Sequence, residues 1–168
     1  GYTFEVKGAS IALSGLTEDT VTATLEVTVA QTGVAPFYYP VFLSAEASDG
    51  GTVATSDDDL RTLQPGEERT VVLELGDTPL GDVIGGLELR LLSDALLPSQ
   101  EIRFGTTSVW TDGLGPLQIQ WPLTCETSSG LLTLGETSLL EGQDCPCRCD
   151  VDGVLRTCSG AVCPEPQE

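Results

Sequence analysis

Thr20-Val21-Thr22-Ala23-Thr24-Leu25-Glu26-Val27-Thr28-Val29-Ala30-Gln31-Thr32 decides the fold class. The apolar residues Val21, Ala23, Leu25, Val27 and Val29 alternate with Thr22, Thr24, Glu26 and Thr28, which is the period of a strand with one face in a core and one in water. The pattern returns at Val71, Leu73 and Leu75, at Leu87, Leu89 and Leu91, and at Leu117, Ile119 and Trp121, with Glu74, Glu88, Arg90, Gln118 and Gln120 as polar partners. Upstream, Tyr2 to Leu13 reads as a first strand pair or one bent strand. Phe37 to Ala47 reads as a strand entered through Pro36 and Pro40. A proline cannot donate to a ladder, so Pro40 predicts an edge position or a bulge.

Turn signals separate these runs: Ser48-Asp49-Gly50-Gly51, Gln64-Pro65-Gly66-Glu67, Gly85-Gly86 and Thr111-Asp112-Gly113. Glycine supplies positive φ and proline presets the turn, so the chain is expected to reverse at each. Roughly seven to nine short strands at this spacing predict an all-β protein, an immunoglobulin-like antiparallel sandwich. No segment of helical period competes. Residues 1 to 124 contain no cysteine. That unit is therefore expected to hold together by burial alone, at about 25 cal/mol per Å² of apolar surface removed from water.

The chain has 168 residues, with 19 Gly, 10 Pro and 20% charged residues. That length suits one ordinary core and a small satellite. There is no methionine, which is read as a processed mature form or a segment cut from something longer; no signal peptide is visible, as cleavage would leave it. Lys and Arg total 7 against 26 Asp and Glu, a net charge of -19. Such a surface repels phosphate backbones and anionic headgroups, which argues against nucleic-acid binding. The acidity reads as solubility or salt adaptation, with an acidic ligand patch as the alternative. The longest uncharged stretch, Val27 to Ala45, is broken by Gln31, Gly33, Pro36 and Pro40, whereas a membrane span needs about 20 mostly apolar residues.

After Trp121-Pro122-Leu123-Thr124 the composition changes. The expected organisation is a sandwich over residues 1–124 and a disulfide-rich mini-domain over residues 125–168. Cysteines stand at Cys125, Cys145, Cys147, Cys149, Cys158 and Cys163. An even count in a small Gly-rich chain predicts disulfides, and disulfides predict an extracellular or cell-surface location. The competing zinc site usually spaces its ligands about two to four residues apart, and Cys-x-Cys-x-Cys is tighter than that. Alternating positions on an extended chain point to opposite faces, so neighbouring cysteines are expected to bridge outward rather than to each other. Five tail cysteines leave one over unless Cys125 joins them. Cys125 is therefore expected to tie the knot back to the last sandwich strand.

The chain has no histidine, which removes the commonest general base and the usual Ser and Cys triads. Carboxylate-only glycosidase chemistry stays formally open, but nothing in the sequence singles out a pair. The expectation is a protein that is not an enzyme, with no catalytic residue and no cofactor. Asp150-Val151-Asp152-Gly153 resembles the start of a calcium loop, which makes Asp150 and Asp152 the metal candidates; the downstream bidentate Glu is missing, and a solvated turn is the preferred reading. Asp57-Asp58-Asp59 reads as an exposed acidic turn. Phe37, Tyr38 and Tyr39 are consecutive aromatics, and in a strand Phe37 and Tyr39 would share one face with Tyr38 on the other. These three and Trp110 are the candidate ligand-binding residues; Trp121 is assigned to the core.

Gly1-Tyr2-Thr3-Phe4-Glu5-Val6-Lys7-Gly8-Ala9-Ser10, followed by Gln31-Thr32-Gly33-Val34-Ala35-Pro36-Phe37-Tyr38-Tyr39-Pro40, is similar to the immunoglobulin-like C-terminal module of secreted bacterial proteins related to glycoside hydrolases. Asp59-Leu60-Arg61 before Leu63-Gln64-Pro65-Gly66-Glu67, Ile102-Arg103-Phe104-Gly105, and Asp112-Gly113 before Leu117-Gln118-Ile119 fit the same module, so the resemblance covers residues 1–121. It implies a β-sandwich and a secreted life, and it carries no catalysis, because that family's barrel is absent from this chain. Residues 125–164 resemble the second half of a von Willebrand factor type C repeat, through Gly135-Glu136, Cys145-Pro146-Cys147-Arg148-Cys149, Gly153-Val154, Cys158 and Cys163-Pro164. One residue rather than two separates the first clustered cysteines, and the later cysteines of the pattern are missing. By analogy such repeats are extracellular protein-binding or spacer modules.

Two functions are expected from these readings. The first is a non-catalytic extracellular or cell-surface binding and adhesion module for a glycan or protein partner. The alternative is a structural subunit of an extracellular filament or surface layer, self-assembling by strand pairing between subunits.

Overall fold

The computed structural model describes residues 1–47, 49–97, 100–105, 117–119, 124–127, 130–139, 146–157 and 159–163. Among these the chain is all-β apart from one short helix and one 3-10 turn. The strands are β1 (Phe4–Leu16), β2 (Thr20–Gln31), β3 (Phe42–Ala47), β4 (Thr52–Thr55) and β5 (Glu68–Pro79), then β6 (Leu87–Leu92) and β7 (Leu117–Ile119). A five-residue helix, α1 (Leu80–Ile84), separates β5 from β6. Further on come β8 (Thr124–Thr127), β9 (Gly130–Thr133), β10 (Thr137–Ser138), β11 (Cys147–Cys149) and β12 (Leu155–Arg156).

The first large sheet has the order β1-β2-β5 and the second β4-β3-β6-β7, with every strand pair antiparallel. The alternation in β2 sets the register. Leu25 lies opposite Ile11 on one side and Leu73 on the other, and Val27 opposite Ala9 and Val71. Leu25, Val27, Leu73 and Leu75 of the first sheet join Leu43, Ala45, Leu87 and Leu89 of the second in one buried cluster. Each such leucine contributes roughly 1.5–3 kcal/mol relative to exposure. The intervening threonines stay on the wet face, where Thr24 donates to Glu74 (3.0 Å) and Thr28 pairs with Thr70 (3.2 Å).

Tyr2 to Leu13 resolves as one bent strand rather than a pair: β1 carries irregularities between Val6 and Gly8 and between Leu13 and Gly15. The expected strand Phe37 to Ala47 is shorter, beginning only at Phe42, because Pro36 and Pro40 deny the preceding residues a continuous ladder. The edge assignment for Pro40 is also corrected, since β3 lies between β4 and β6 and Pro40 precedes it. At the same end of the molecule, Ile102 bridges Leu91 antiparallel and Phe104 bridges Phe4 in parallel. Gly105 N–H then donates to the Phe4 carbonyl (2.7 Å). This segment links β6, an inner strand of the second sheet, to β1, an edge of the first.

The C-terminal region forms a β8-β9 hairpin and a small β10-β11-β12 sheet. Disulfides join Cys125 to Cys149 and Cys147 to Cys163. Two corrections follow. Cys147 and Cys149, two residues apart on β11, share its buried face with Arg148 between them on the other; they bridge to separate partners because those partners lie on different segments, not because the two cysteines face apart. Cys125 sits in β8, which pairs with β9, so its bridge closes the knot on its own hairpin rather than on β7. Cys145, Cys158, Trp110 and Trp121 lie outside the described residues. No cysteine among the described residues is free, which leaves no thiolate there for zinc. No helix among them is long and apolar enough to cross a membrane.

Candidate functional site: an aromatic cluster clasped by Gln31

Where β2 ends, the fully buried Gln31 replaces the alternating apolar residues. A buried amide is costly unless its groups are paired. Here its Oε1 accepts from the backbone N–H of Thr3 (3.0 Å) and of Gly33 (2.8 Å), and its Nε2 donates to the Ala35 carbonyl (3.0 Å). The side chain thus fastens the start of β1 to the loop after β2. Two backbone bonds complete the clasp, from Thr32 N–H to the Thr3 carbonyl (2.8 Å) and from Val34 N–H to the Gly1 carbonyl (3.0 Å). The N-terminal residues and the loop after β2 approach so closely that a Cβ on Gly33 would stand 2.7 Å from the Tyr2 carbonyl carbon. Only glycine fits there.

The clasp places four rings together. Tyr2 meets Phe37 edge-on at 4.5 Å between centroids, and Phe4 and Tyr39 also meet Phe37 edge-on, each at 6.1 Å. These are favourable aromatic geometries. Phe4 and Phe37 are buried, whereas Tyr2 is 44%, Tyr39 57% and Tyr38 76% exposed, beside Val34 at 86%. The segment is not a strand, yet Phe37 and Tyr39 still lie together as expected, ring to ring, while Tyr38 makes no ring contact among the described residues. Phe37 roots the loop and both neighbouring tyrosines stay in solvent. Tyr2 was not foreseen: it is isolated in sequence and joins the group only through the Gln31 clasp.

Charged groups frame the cluster in compensated pairs. Lys7 contacts Glu5 at 2.5 Å and Thr32 Oγ1 donates to Glu5 (2.9 Å). Lys7 and then Thr32 hold the Glu5 carboxyl below its usual range, and Glu5 in turn pushes the Lys7 ammonium up. Asp59 is not the free acidic residue expected of Asp57-Asp58-Asp59. Its Oδ1 accepts from Val41 N–H (3.1 Å) and Arg61 N–H (2.9 Å), and its Oδ2 pairs with Arg61 (2.9 Å), which ties the Tyr39-Pro40-Val41 segment to the 3-10 turn Leu60–Thr62. Asp57 and Asp58 are exposed.

The calcium-loop candidates have a different occupant. Asp150 and Asp152 both clamp the Arg156 guanidinium, at 3.0 Å and 2.5 Å, and Asp152 Oδ1 accepts from Val154 N–H (3.0 Å). Arg156 and then the Val154 amide hold Asp152 below the usual carboxylate range. The guanidinium fills the place a cation would take, and among the described residues no group of three or more His, Cys, Asp or Glu is arranged around a metal position. A cleft of about 220 Å³ at the opposite end is lined by Asp49, Asp77 and Asp82 with Thr52, Thr78 and Pro79. Two of its carboxylates are already used, Asp49 by Gly51 N–H (2.9 Å) and Asp77 by Thr22 (3.3 Å).

No protein-family model, no curated protein and no solved structure matches the chain.

Proposed function

We propose that the protein is a non-catalytic extracellular or cell-surface binding module that uses Tyr2, Tyr38 and Tyr39 as a platform for a glycan. The observation that carries this reading is the pair of solvent-facing tyrosines on a loop whose root, Phe37, is buried and whose backbone is clasped by Gln31. A large apolar ring left in water on a fixed backbone suits recognition, since little ordering entropy remains to be lost on binding. The C–H faces of a pyranose ring complement the negative π face of tyrosine. The extracellular assignment rests on the disulfides.

The sandwich is read as immunoglobulin-like. Its order β1-β2-β5 against β4-β3-β6-β7 is that of a seven-strand Greek key in which the fourth strand sits with the third rather than with the first sheet. The tail is read as a truncated von Willebrand type C-like spacer. The alternative, a filament subunit assembled by strand pairing, draws on β1, whose outer side from Val6 to Leu16 has no strand partner among the described residues. Irregularities at both ends of that edge and the charge of -19 oppose edge-to-edge pairing between copies. The binding reading is therefore preferred. Retention on immobilised polysaccharides tests it: wild type is expected to be retarded and the Tyr38→Ala/Tyr39→Ala double variant to run freely. Equal mobility of the two on every polysaccharide overturns it.

A further inference from the structure

We infer that the cleft of about 220 Å³ at the end of the body away from the tyrosines is a second site, for a small aliphatic diamine. The observation that points to a ligand there is Thr78. Along the inward face of β5, Val71, Leu73 and Leu75 are fully buried, and the next inward position, opposite the buried Val21, holds Thr78 in place of an apolar residue. Thr78 is 5% exposed, and its hydroxyl has no hydrogen-bond partner among the described residues. Oγ1 is not sealed in the core: it keeps accessible surface, which opens on the cleft that Thr78 lines. A hydroxyl so far withdrawn from water with no protein partner costs free energy that a hydrogen bond to a bound molecule would offset.

The charge around Thr78 sets the class of that molecule. Three segments each bring one carboxylate to the cleft: Asp49 from the β3-β4 turn, Asp77 from the end of β5 and Asp82 from α1. Asp49 and Asp77 each use Oδ1 on a protein donor and keep Oδ2. Asp82 is half-buried and enters no hydrogen bond or ion pair among the described residues. No basic residue lines the cleft. Arg148 reaches this end of the body, but its Nη2 is held by the carbonyls of Thr17 and Glu18, beside the exposed acids Glu18 and Asp19. A metal ion does not match, because the carboxylates are not grouped around one position and Ala47, Val53 and Pro79 make part of the wall apolar. An aliphatic diamine suits both parts. Each ammonium offers three donors and no acceptor, so the two ends can take carboxylate and hydroxyl oxygens at separate places while the methylenes cover the apolar wall. A neutral diol keeps the hydroxyl contact and loses the Coulomb attraction, and an anion is repelled.

The test follows the backbone amides of the full oxidised chain by heteronuclear NMR in about 0.15 M salt, which screens loose association with the acidic surface. Diaminobutane, butanediol, calcium and an Nα-blocked lysine are titrated in turn. The expected result is a saturable shift of the amides of residues 49–53 and 77–82 with diaminobutane, and none with butanediol. Thr78→Val and Asp82→Asn should each weaken that binding roughly tenfold. Neither substitution removes a protein hydrogen bond, so both variants should melt no lower than wild type. Equal binding of butanediol overturns the assignment to a cation. Calcium that shifts the same amides more strongly overturns the choice of an organic one. Binding of the blocked lysine without binding of diaminobutane makes the cleft a docking point for a protein side chain and overturns the small-molecule assignment. No shift, shifts spread over the whole acidic surface, or shifts indifferent to both variants overturn the site itself, and none of these outcomes touches the tyrosine platform.

Discussion

Arg148 of β11 reaches from the disulfide knot to the β1-β2 turn, where its Nη2 donates to the backbone carbonyls of Thr17 and, at 3.1 Å, of Glu18. It is the outward-facing residue between two bridged cysteines, so the covalent framework of the knot aims it. Close by, the backbone at Gly135, with φ of +79°, packs on the Leu80 side chain so tightly that a Cβ there would collide with Leu80 Cδ2. A charged clasp and one apolar contact thus seat the knot on the body.

Arg148→Ala is expected to loosen that seat without unfolding either part, with a cost of about 1 kcal/mol for a charged donor on a partly exposed site. Hydrogen exchange should quicken over residues 130–139 and 146–157 while the β2 and β5 amides keep their protection. Unchanged protection in the knot would show that the clasp contributes nothing. Gly135→Ala should add to the effect, because it combines a strained backbone with the Leu80 collision.

Leu25→Asp and Leu73→Asp should each destabilise the body by several kcal/mol, since these two residues face each other across β2 and β5 with no exposed surface. Thr24→Lys is the matched control and should change stability by no more than about 0.5 kcal/mol, because it stands in water opposite Glu74. Thr24→Asp is a poorer control, as it sets two carboxylates against each other. Similar melting shifts for Leu25→Asp and Thr24→Lys would mean that the strand phase is wrong.

The alternation that made β2, β5 and β6 legible works because one residue in two meets a continuous core, so face and phase are written in the residues themselves. β4 carried no such signal: Thr52-Val53-Ala54-Thr55 buries neither central residue fully. Phe37 to Val41 looked like strand because its residues are apolar and aromatic, yet the two prolines and the Asp59 anchor decide its path. The candidate site was half legible. Tyr38 and Tyr39 could be singled out as aromatics that one face cannot hold, but Tyr2 enters through Gln31, a contact across 28 residues. The mates of Cys147 and Cys149 were not legible either, because six cysteines admit many pairings and local spacing ranks none of them.

Gln31→Leu keeps the volume of the side chain and removes its polar groups, so the Thr3 and Gly33 amides lose their acceptor in a buried place. The expected cost is roughly 2–4 kcal/mol. Exposed Tyr2 should also become mobile, which proton relaxation of its ring would report. Gln31→Glu is the informative partner: it keeps the acceptor oxygens but loses the donor to Ala35 and buries a charge, so it should not rescue stability. If Gln31→Leu melts with wild type, the clasp is not what holds the platform.

Acid should weaken the knot. Glu136 accepts from the Thr133 amide (2.7 Å), which with the Thr133 hydroxyl holds its carboxyl below 4.5, and Asp152 is held below 3.8 by Arg156 and the Val154 amide. A carboxyl whose folded value lies below its unfolded one stabilises the fold above the unfolded value and loses that contribution as pH falls through the folded one. Local stability of residues 130–139 and 146–157 should therefore decline on acidification below about pH 4.5. Glu136→Gln and Asp152→Asn should flatten the decline. A decline unaltered in both variants would assign it elsewhere.

Reduction should separate the two halves of the molecule. The body's core is Leu, Val and Phe across two sheets with no cysteine before Cys125, whereas the knot's described strands are short and its buried residues are chiefly the bridged cysteines themselves with Leu134. Its order must come largely from closure, and bridges of sequence separation 24 and 16 are each worth about 3 kcal/mol in the chain-entropy account. Reductant should thus abolish protection over residues 146–157 while the main melting transition moves little, and a chelator should do nothing. The two bridges should differ. Cys163→Ser frees the last described residue and leaves Cys125–Cys149 to hold β11 to the hairpin, so Arg148 should stay on Thr17 and Glu18. Cys125→Ser detaches β11 from β8 and should release Arg148 as well, giving the larger rise in exchange near the β1-β2 turn. The reverse ranking would show that the Cys147–Cys163 bridge, and not Cys125–Cys149, aims the clasp.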